Sequence, residues 1–159
     1  MLKKISLINE QKKIPISTLI IIHDFKLNIL LLERADRPNF WQSVTGSLNF
    51  KSENLTCAAQ RELKEETGLN LYDFPWLNWN FSRKFKIFDH WAHRYEEGVK
   101  ENTEFVFSVC IANNEKIKLS PREHLRYEWF SSKNAIKKCF SWTNKVAIEE
   151  LPIRFKGGY

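Results

Sequence analysis

The chain has 159 residues, of which 43% are hydrophobic and 14% aromatic, and its formal net charge is +6. This length is typical of one domain, and this apolar content excludes a disordered chain. No apolar run approaches the roughly 20 residues that cross a bilayer, and the N-terminus lacks the pattern of a signal peptide. We therefore expect a single domain over residues 1–159, located in the cytoplasm and without a membrane partner. The positive charge favours an anionic ligand, either nucleic acid or a phosphorylated small molecule.

The predicted elements mix strands with helices. The first strand, at 16–22, is rich in β-branched residues and almost continuously apolar, which is typical of a strand buried on both faces. Further strands are predicted at 28–33, 41–45, 76–83, 84–91 and 103–112. Helices are predicted at Leu55–Thr67, where Gly68 supplies a left-handed cap, at Ser132–Lys138 and at about 143–150. This order indicates an α/β or α+β fold.

The helix predicted at Leu55–Thr67 places acidic residues next to its apolar side. At about 100° per residue, Glu62, Glu65 and Glu66 share an arc of about 100°. That arc overlaps the apolar stripe, which is formed by Leu55, Ala58, Ala59 and Leu63. Buried neighbouring carboxylates repel one another and lose hydration, and a divalent cation removes both penalties. A solvated acidic face is the ordinary alternative, but it would lie opposite the apolar stripe.

The same segment resembles the Nudix box, on the residues Glu53, Arg61, Glu62, Leu63, Glu65, Glu66, Gly68 and Leu69. One difference is that six residues, not the usual five, separate Gly46 from Glu53, and Lys51-Ser52 replaces the usual glycine before Glu53. It stays open whether Glu53 reaches the site. The resemblance implies the Nudix fold, a mixed sheet sandwiched between helices with a catalytic loop–helix–loop. It also implies hydrolysis of a diphosphate linkage with Mg²⁺, or alternatively Mn²⁺, as cofactor.

Stretches outside the box resemble one branch of this family, which hydrolyses dihydroneopterin triphosphate to the monophosphate and pyrophosphate in folate synthesis. These stretches are residues 40–47, 88–95, 102–104, 123–129 and 141–144. The resemblance implies that the metal ligands and catalytic acids are Glu62, Glu65, Glu66 and Glu123. It implies substrate contacts from Lys13, Arg34, Thr45, Phe85, Lys86, Ile87, Phe88 and Ser141. Arg61 is expected to orient a glutamate of the box.

Other metal sites and other functions are also considered. The three cysteines form no CxxC pair, which favours reduced thiols. His90 and His93 do not predict zinc, because residues three apart on a strand point to opposite faces and no third soft ligand is near. One rival function is a Nudix enzyme for nucleoside triphosphates. Another is a non-catalytic module that binds nucleic acid, but such a module should have a degraded box. We expect a small-molecule triphosphate as the partner, no nucleic acid, and a monomer or homodimer.

Overall fold

A computed structural model describes residues 11–156, which form a seven-stranded mixed sheet flanked by helices. The strands are β1 (Ile16–His23), β2 (Ile29–Arg34), β3 (Trp41–Gln42), β4 (Val44–Ser47), β5 (Trp76–Lys86), β6 (Glu101–Cys110) and β7 (His124–Phe130). The helices are α1 (Leu55–Thr67), α2 (Ser132–Lys138) and α3 (Trp142–Arg154). Short 3-10 helices lie at Leu71–Asp73 and Asp89–Arg94. Within these described residues no helix is both long and apolar enough to cross a membrane.

Strand β1 lies at the centre of the sheet and shares one of its edges between two partners. On one side it pairs in parallel with β6 along its whole length. On the other side its residues 17–20 pair with β4, and only its last two residues, Ile22 and His23, pair with β2. Strand β2 therefore diverges from β1, and β4 takes its place. The sheet opens between the ends of β2 and β4.

Alternate side chains of β1 pack into two separate cores, one on each face of the sheet. Ile20 and Ile22 join Ala59 and Leu63 of α1 on one face. Leu19 and Ile21 face the side covered by α2 and α3, where the packed residues include Ala147, Ile148 and Leu151. The predicted α+β class, with a sheet between helices, is confirmed. Burial on both faces is the reason for the continuous apolar run in this strand.

The predicted boundaries agree best for elements with local signals. Helices α1 and α2 have the predicted limits, and β1 is one residue longer than predicted. Helix α3 extends beyond the predicted 143–150 at both ends, with Pro152 in its last turn. The segment 41–45 was predicted as one strand, but it splits into β3, paired with β2, and β4, paired with β1.

One strand prediction was wrong and one strand was missed. Strand β5 is continuous from Trp76 to Lys86, so there is no break at residue 84, and the chain after it forms the 3-10 helix Asp89–Arg94. Pairing with β6 runs without a break from Ser82 to Lys86, and the register shifts only before it, between Asn78 and Ser82, where Asn80 has φ 51°. Strand β7 was not predicted at all. Its residues Leu125-Arg-Tyr-Glu-Trp129 alternate between apolar and polar, which is the pattern of a strand, so the signal was present in the sequence and was overlooked.

Candidate active site

Helix α1 is fixed at both ends by its own sequence. The Asn54 side chain caps its start by accepting hydrogen bonds from the backbone N–H of Thr56 (2.9 Å) and Cys57 (3.2 Å). Gly68 ends it with φ 75°, as predicted, and donates its N–H to the Lys64 carbonyl. The helix buries Glu62 and Glu66 together with its apolar residues, so the predicted overlap between acids and apolar stripe exists for these two.

Gly46 on β4 makes the burial of Glu62 possible. A Cβ atom placed on Gly46 would overlap the carboxylate carbon and both carboxylate oxygens of Glu62. Gly46 pairs with Thr18 of β1, so its position is set by the register of the sheet. Only a residue without a side chain leaves room there for the carboxylate.

Arg61 connects Glu53 with the helix. Its Nε and Nη2 donate to the two carboxylate oxygens of Glu53 at 3.0 and 3.1 Å, and its Nη1 donates to Glu62 at 2.7 Å. The carboxylate of Glu53 also accepts from the Asn49 N–H at 2.6 Å. The hydrogen bonds from Arg61 hold the pKa of Glu53 below its usual range. The longer loop therefore brings Glu53 to Arg61, and Arg61 orients Glu62. Glu65 lies exposed beside them, 3.7 Å from Arg61.

A second group of ligand atoms gathers around Glu66. The carboxylates of Glu66 and Glu123 and the ring of His124 each place one atom within 4.8 Å of the others. His124 Nε2 lies 3.1 Å from Glu66 Oε2. Glu123 is exposed and comes from the loop before β7, whereas His124 is the first residue of that strand. His124 was not among the predicted site residues, although it stands next to Glu123 in one of the matching stretches.

The buried glutamates carry an electrostatic cost. Burial, and then the charge of Glu66, raises the pKa of Glu62 to about 7, against the opposing effect of Arg61. Burial and the charge of Glu123 raise the pKa of Glu66 well above its usual value. Carboxylate oxygens in this number and spacing could hold a divalent cation, whose charge would offset both effects. The residues present therefore fit the metal site implied by the box.

A cleft of about 470 Å³ lies on the α3 side of the sheet and meets this acidic group. A smaller cavity of about 300 Å³ contains Glu62, Glu65 and Arg61. The residues common to both are Lys13, Thr45, Gly46, Ser47, Glu66 and Glu123. The smaller cavity, an acidic compartment, therefore lies directly beside the larger cleft.

The larger cleft brings together most of the predicted substrate contacts, which are Lys13, Arg34, Thr45, Phe85, Ile87, Phe88 and Ser141. Lys86 is the exception. It is exposed and does not line the cleft, because successive side chains of a strand alternate between faces and those of Phe85 and Ile87 occupy the cleft side. The segment 85–88 therefore contributes only three of its four residues.

Aromatic and cationic residues surround the mouth of the cleft. Trp91 and Phe140 lie with ring centroids 5.8 Å apart, and Phe88 packs against Trp91 at 5.4 Å. Arg34 lies 4.8 Å over the Trp91 ring and donates to both oxygens of Asp36, at 2.8 and 2.6 Å. Sequence reasoning missed Phe140, which follows α2 and has no local motif.

The histidine pair His90 and His93 lies in the 3-10 helix Asp89–Arg94 and not on a strand. In a 3-10 helix, residues three apart eclipse one another, so the argument from opposite strand faces does not apply. Both are exposed, and neither belongs to the one group of three metal-capable side chains found among residues 11–156.

Comparison with known proteins agrees with this geometry. The dihydroneopterin triphosphate diphosphatase of Escherichia coli (strain K12) is 38% identical over 145 residues, which cover 89% of this chain and 94% of that protein. The enzyme of the same name from Haemophilus influenzae is 34% identical over 137 residues, covering 84% and 85%. The solved structure of the E. coli dihydroneopterin triphosphate pyrophosphohydrolase superposes with a TM-score of 0.82 at 36% identity, covering 90% of this chain and 98% of that one. Residues 13–151 match the NUDIX domain model, and the chain belongs to the NUDIX family.

Proposed function

We propose that this chain hydrolyses dihydroneopterin triphosphate to dihydroneopterin monophosphate and pyrophosphate, with Mg²⁺ as the bound cation. The observation that supports the proposal is that the acidic compartment and the aromatic cleft lie side by side and share six lining residues. It fits a ligand with a polyphosphate at one end and a flat ring at the other. The cleft volume lies within the range of about 300–1,000 Å³ usual for small-molecule sites. The relatives at 34% and 38% identity are both named dihydroneopterin triphosphate diphosphatase.

Four glutamates would hold the metal, namely Glu62, Glu65, Glu66 and Glu123. When bound, Mg²⁺ would offset the negative charge of the phosphate groups and make a water molecule easier to deprotonate; Mn²⁺ is the alternative ion. Arg61 holds the carboxylate of Glu62 in place, and the ring of His124 does the same for Glu66. One carboxylate of this group accepts the proton of the attacking water.

The cations at the cleft would bind the polyphosphate. Lys13 lies where the two compartments meet, so its ammonium group can reach phosphate oxygens. Arg34 is bound to Asp36 and also lines the cleft, which positions its guanidinium group toward the same space. Phe85, Phe88 and Ser141 would contact the heterocycle or the chain that links it to the phosphates. We place this reaction in the cytoplasm, as a step of folate synthesis.

Nucleoside triphosphates are the second candidate substrates, because the aromatic rings around Trp91 would stack on a purine as well as on a pterin. A nucleic-acid-binding module is disfavoured by the intact box glutamates. Steep salt dependence of RNA or DNA binding would revive that possibility.

A pyrophosphate-release screen with Mg²⁺ tests the proposal on dihydroneopterin triphosphate and the common nucleoside triphosphates. We expect the highest kcat/KM for the pterin substrate and no release when EDTA replaces Mg²⁺. Glu62→Gln should abolish most of the activity, while Glu149→Gln, which changes an exposed acid on α3, should not. A higher kcat/KM for any nucleotide would contradict the pterin assignment.

A further inference from the structure

The floor of the cleft contains two buried polar side chains on β6. Asn102 and Glu104 are two residues apart, so both face the cleft, and they are only 1% and 5% exposed. Val106, the next residue on this face, already belongs to the apolar core. The strand therefore changes from apolar to polar where it reaches the cleft.

Each of these side chains has one acceptor atom with no hydrogen-bond partner among the described residues, namely Oδ1 of Asn102 and Oε1 of Glu104. Asn102 Nδ2 donates to Ser17 Oγ at 2.7 Å, and the Thr143 hydroxyl interacts with the Glu104 carboxylate. Arg83, which faces Glu104 across the β5–β6 pair, donates to Glu150 through Nη2; its buried Nη1 has no hydrogen-bond partner among the described residues, and Arg83 does not line the cleft.

A ligand with hydrogen-bond donors would satisfy the two unpaired acceptor atoms at the floor of the cleft. A buried acceptor without a partner is unfavourable, and a donor on the ligand removes that cost. A carboxylate also repels phosphate, so the floor should receive the ring and leave the polyphosphate near the box glutamates. Phe85 pairs with Asn102 across the strands and lines the same cleft, which places an aromatic ring beside these acceptors.

We propose that Glu104, with Asn102 beside it, is a specificity-determining residue that accepts hydrogen bonds from the donor edge of the bound heterocycle. The edge recognised is a ring N–H next to an amino group. Dihydropterins and guanine present this edge, whereas adenine presents a ring nitrogen acceptor next to its amino group. This inference rests on the proposed function, because it assumes that a heterocyclic triphosphate occupies the cleft.

Substitution of Glu104 by methionine tests the proposal, since methionine has a similar shape and no carboxylate. The readout is kcat/KM for dihydroneopterin triphosphate, GTP and ATP. We expect Glu104→Met to lower the values for the first two by about 10- to 100-fold, chiefly through KM, and the value for ATP by less than about threefold. Glu101→Met is the matched control on an exposed position of the same strand, and it should leave all three within about twofold.

A more conservative substitution at the same position tests the proposal if Glu104→Met does not fold. Glu104→Gln retains a carbonyl acceptor, so it should lower the same pterin-to-ATP ratio by less than Glu104→Met does. Wild-type protein should also bind dihydroneopterin more tightly than adenosine in a calorimetric titration, where neither compound carries phosphate. Equal losses for all three substrates, or an unchanged ratio, would overturn the proposal.

The outcomes separate this inference from the proposed function. If the pterin triphosphate is the best substrate and the ratio is unchanged in both variants, the proposed function stands and the role of Glu104 is wrong. If the pterin triphosphate is not hydrolysed, but preference for GTP over ATP disappears in Glu104→Met, the proposed function fails and the role of Glu104 stands.

Discussion

Substitution of Gly46 by alanine should displace the Glu62 carboxylate. The backbone of Gly46 is not in the left-handed region, so alanine meets no conformational penalty there. The whole cost comes from overlap between the new Cβ and the carboxylate, which is held by Arg61 and almost fully buried. Overpacking of this kind costs about 1–3 kcal/mol of the free energy of unfolding. Loss of a placed carboxylate should lower kcat by about 10²–10³-fold.

A double-mutant cycle with Glu62→Ala isolates this contact. When the carboxylate is absent, the Cβ of alanine has room, and Gly46→Ala should be neutral. It could even stabilise the protein by up to about 1 kcal/mol, because alanine restricts the unfolded chain. The two positions should therefore show a coupling of about 1–3 kcal/mol.

Urea unfolding in the presence of EDTA measures the four proteins of the cycle without a contribution from bound metal. Pyrophosphate release with Mg²⁺ gives the effect on kcat. An equal cost of Gly46→Ala in both backgrounds would show that the contact with Glu62 is not the cause, and full activity of the single variant would refute the placement of the carboxylate.

Four further predictions address the metal, the loop and the buried acids. Glu66→Gln should lower kcat by about 10²–10⁴-fold in a pyrophosphate assay and leave the metal-free melting temperature equal or higher, since a buried charge is removed; full activity would contradict its role as ligand. Deletion of the exposed Lys51 should change kcat/KM by less than about tenfold, and a larger loss would mean that the longer loop is required. Glu123→Ala should lower kcat strongly with little change in KM if it completes the metal site, whereas both stay within about twofold for a surface acid. Burial raises the pKa of Glu104 from 4.5 to about 7. The contribution of this group to the free energy of unfolding is therefore fully present below pH 4.5 and is lost as the pH rises through 7, by at most about 3 kcal/mol. Urea unfolding across this pH range should show a smaller loss for Glu104→Gln than for the parent protein, and the parent loss for Glu101→Gln.

The sequence alone predicted the features that depend on neighbouring residues. Asn54 and Gly68 cap α1 through contacts within a few residues, so its limits could be read from the chain. The burial of Glu62 and Glu66 followed from helical periodicity, because residues four apart lie on one face. The box pattern was sufficient to place the chain in its family.

The tertiary structure decided the features that depend on contacts between distant segments. The Glu53–Arg61 contact spans only eight residues, but the longer loop before Glu53 left it open in the sequence, and only the structure shows that it forms. Lys86 is directed away from the cleft by the phase of β5, which one residue more or less would reverse. Glu104 lies in one of the matching stretches, but its burial beside the cleft depends on β1, β5 and α3, which come from distant parts of the chain. Local hydrogen bonds and residue spacing set the caps and faces of a helix. Packing between segments that are far apart in the chain sets the strand register, the divergence of β2 from β1 and the burial of a polar side chain.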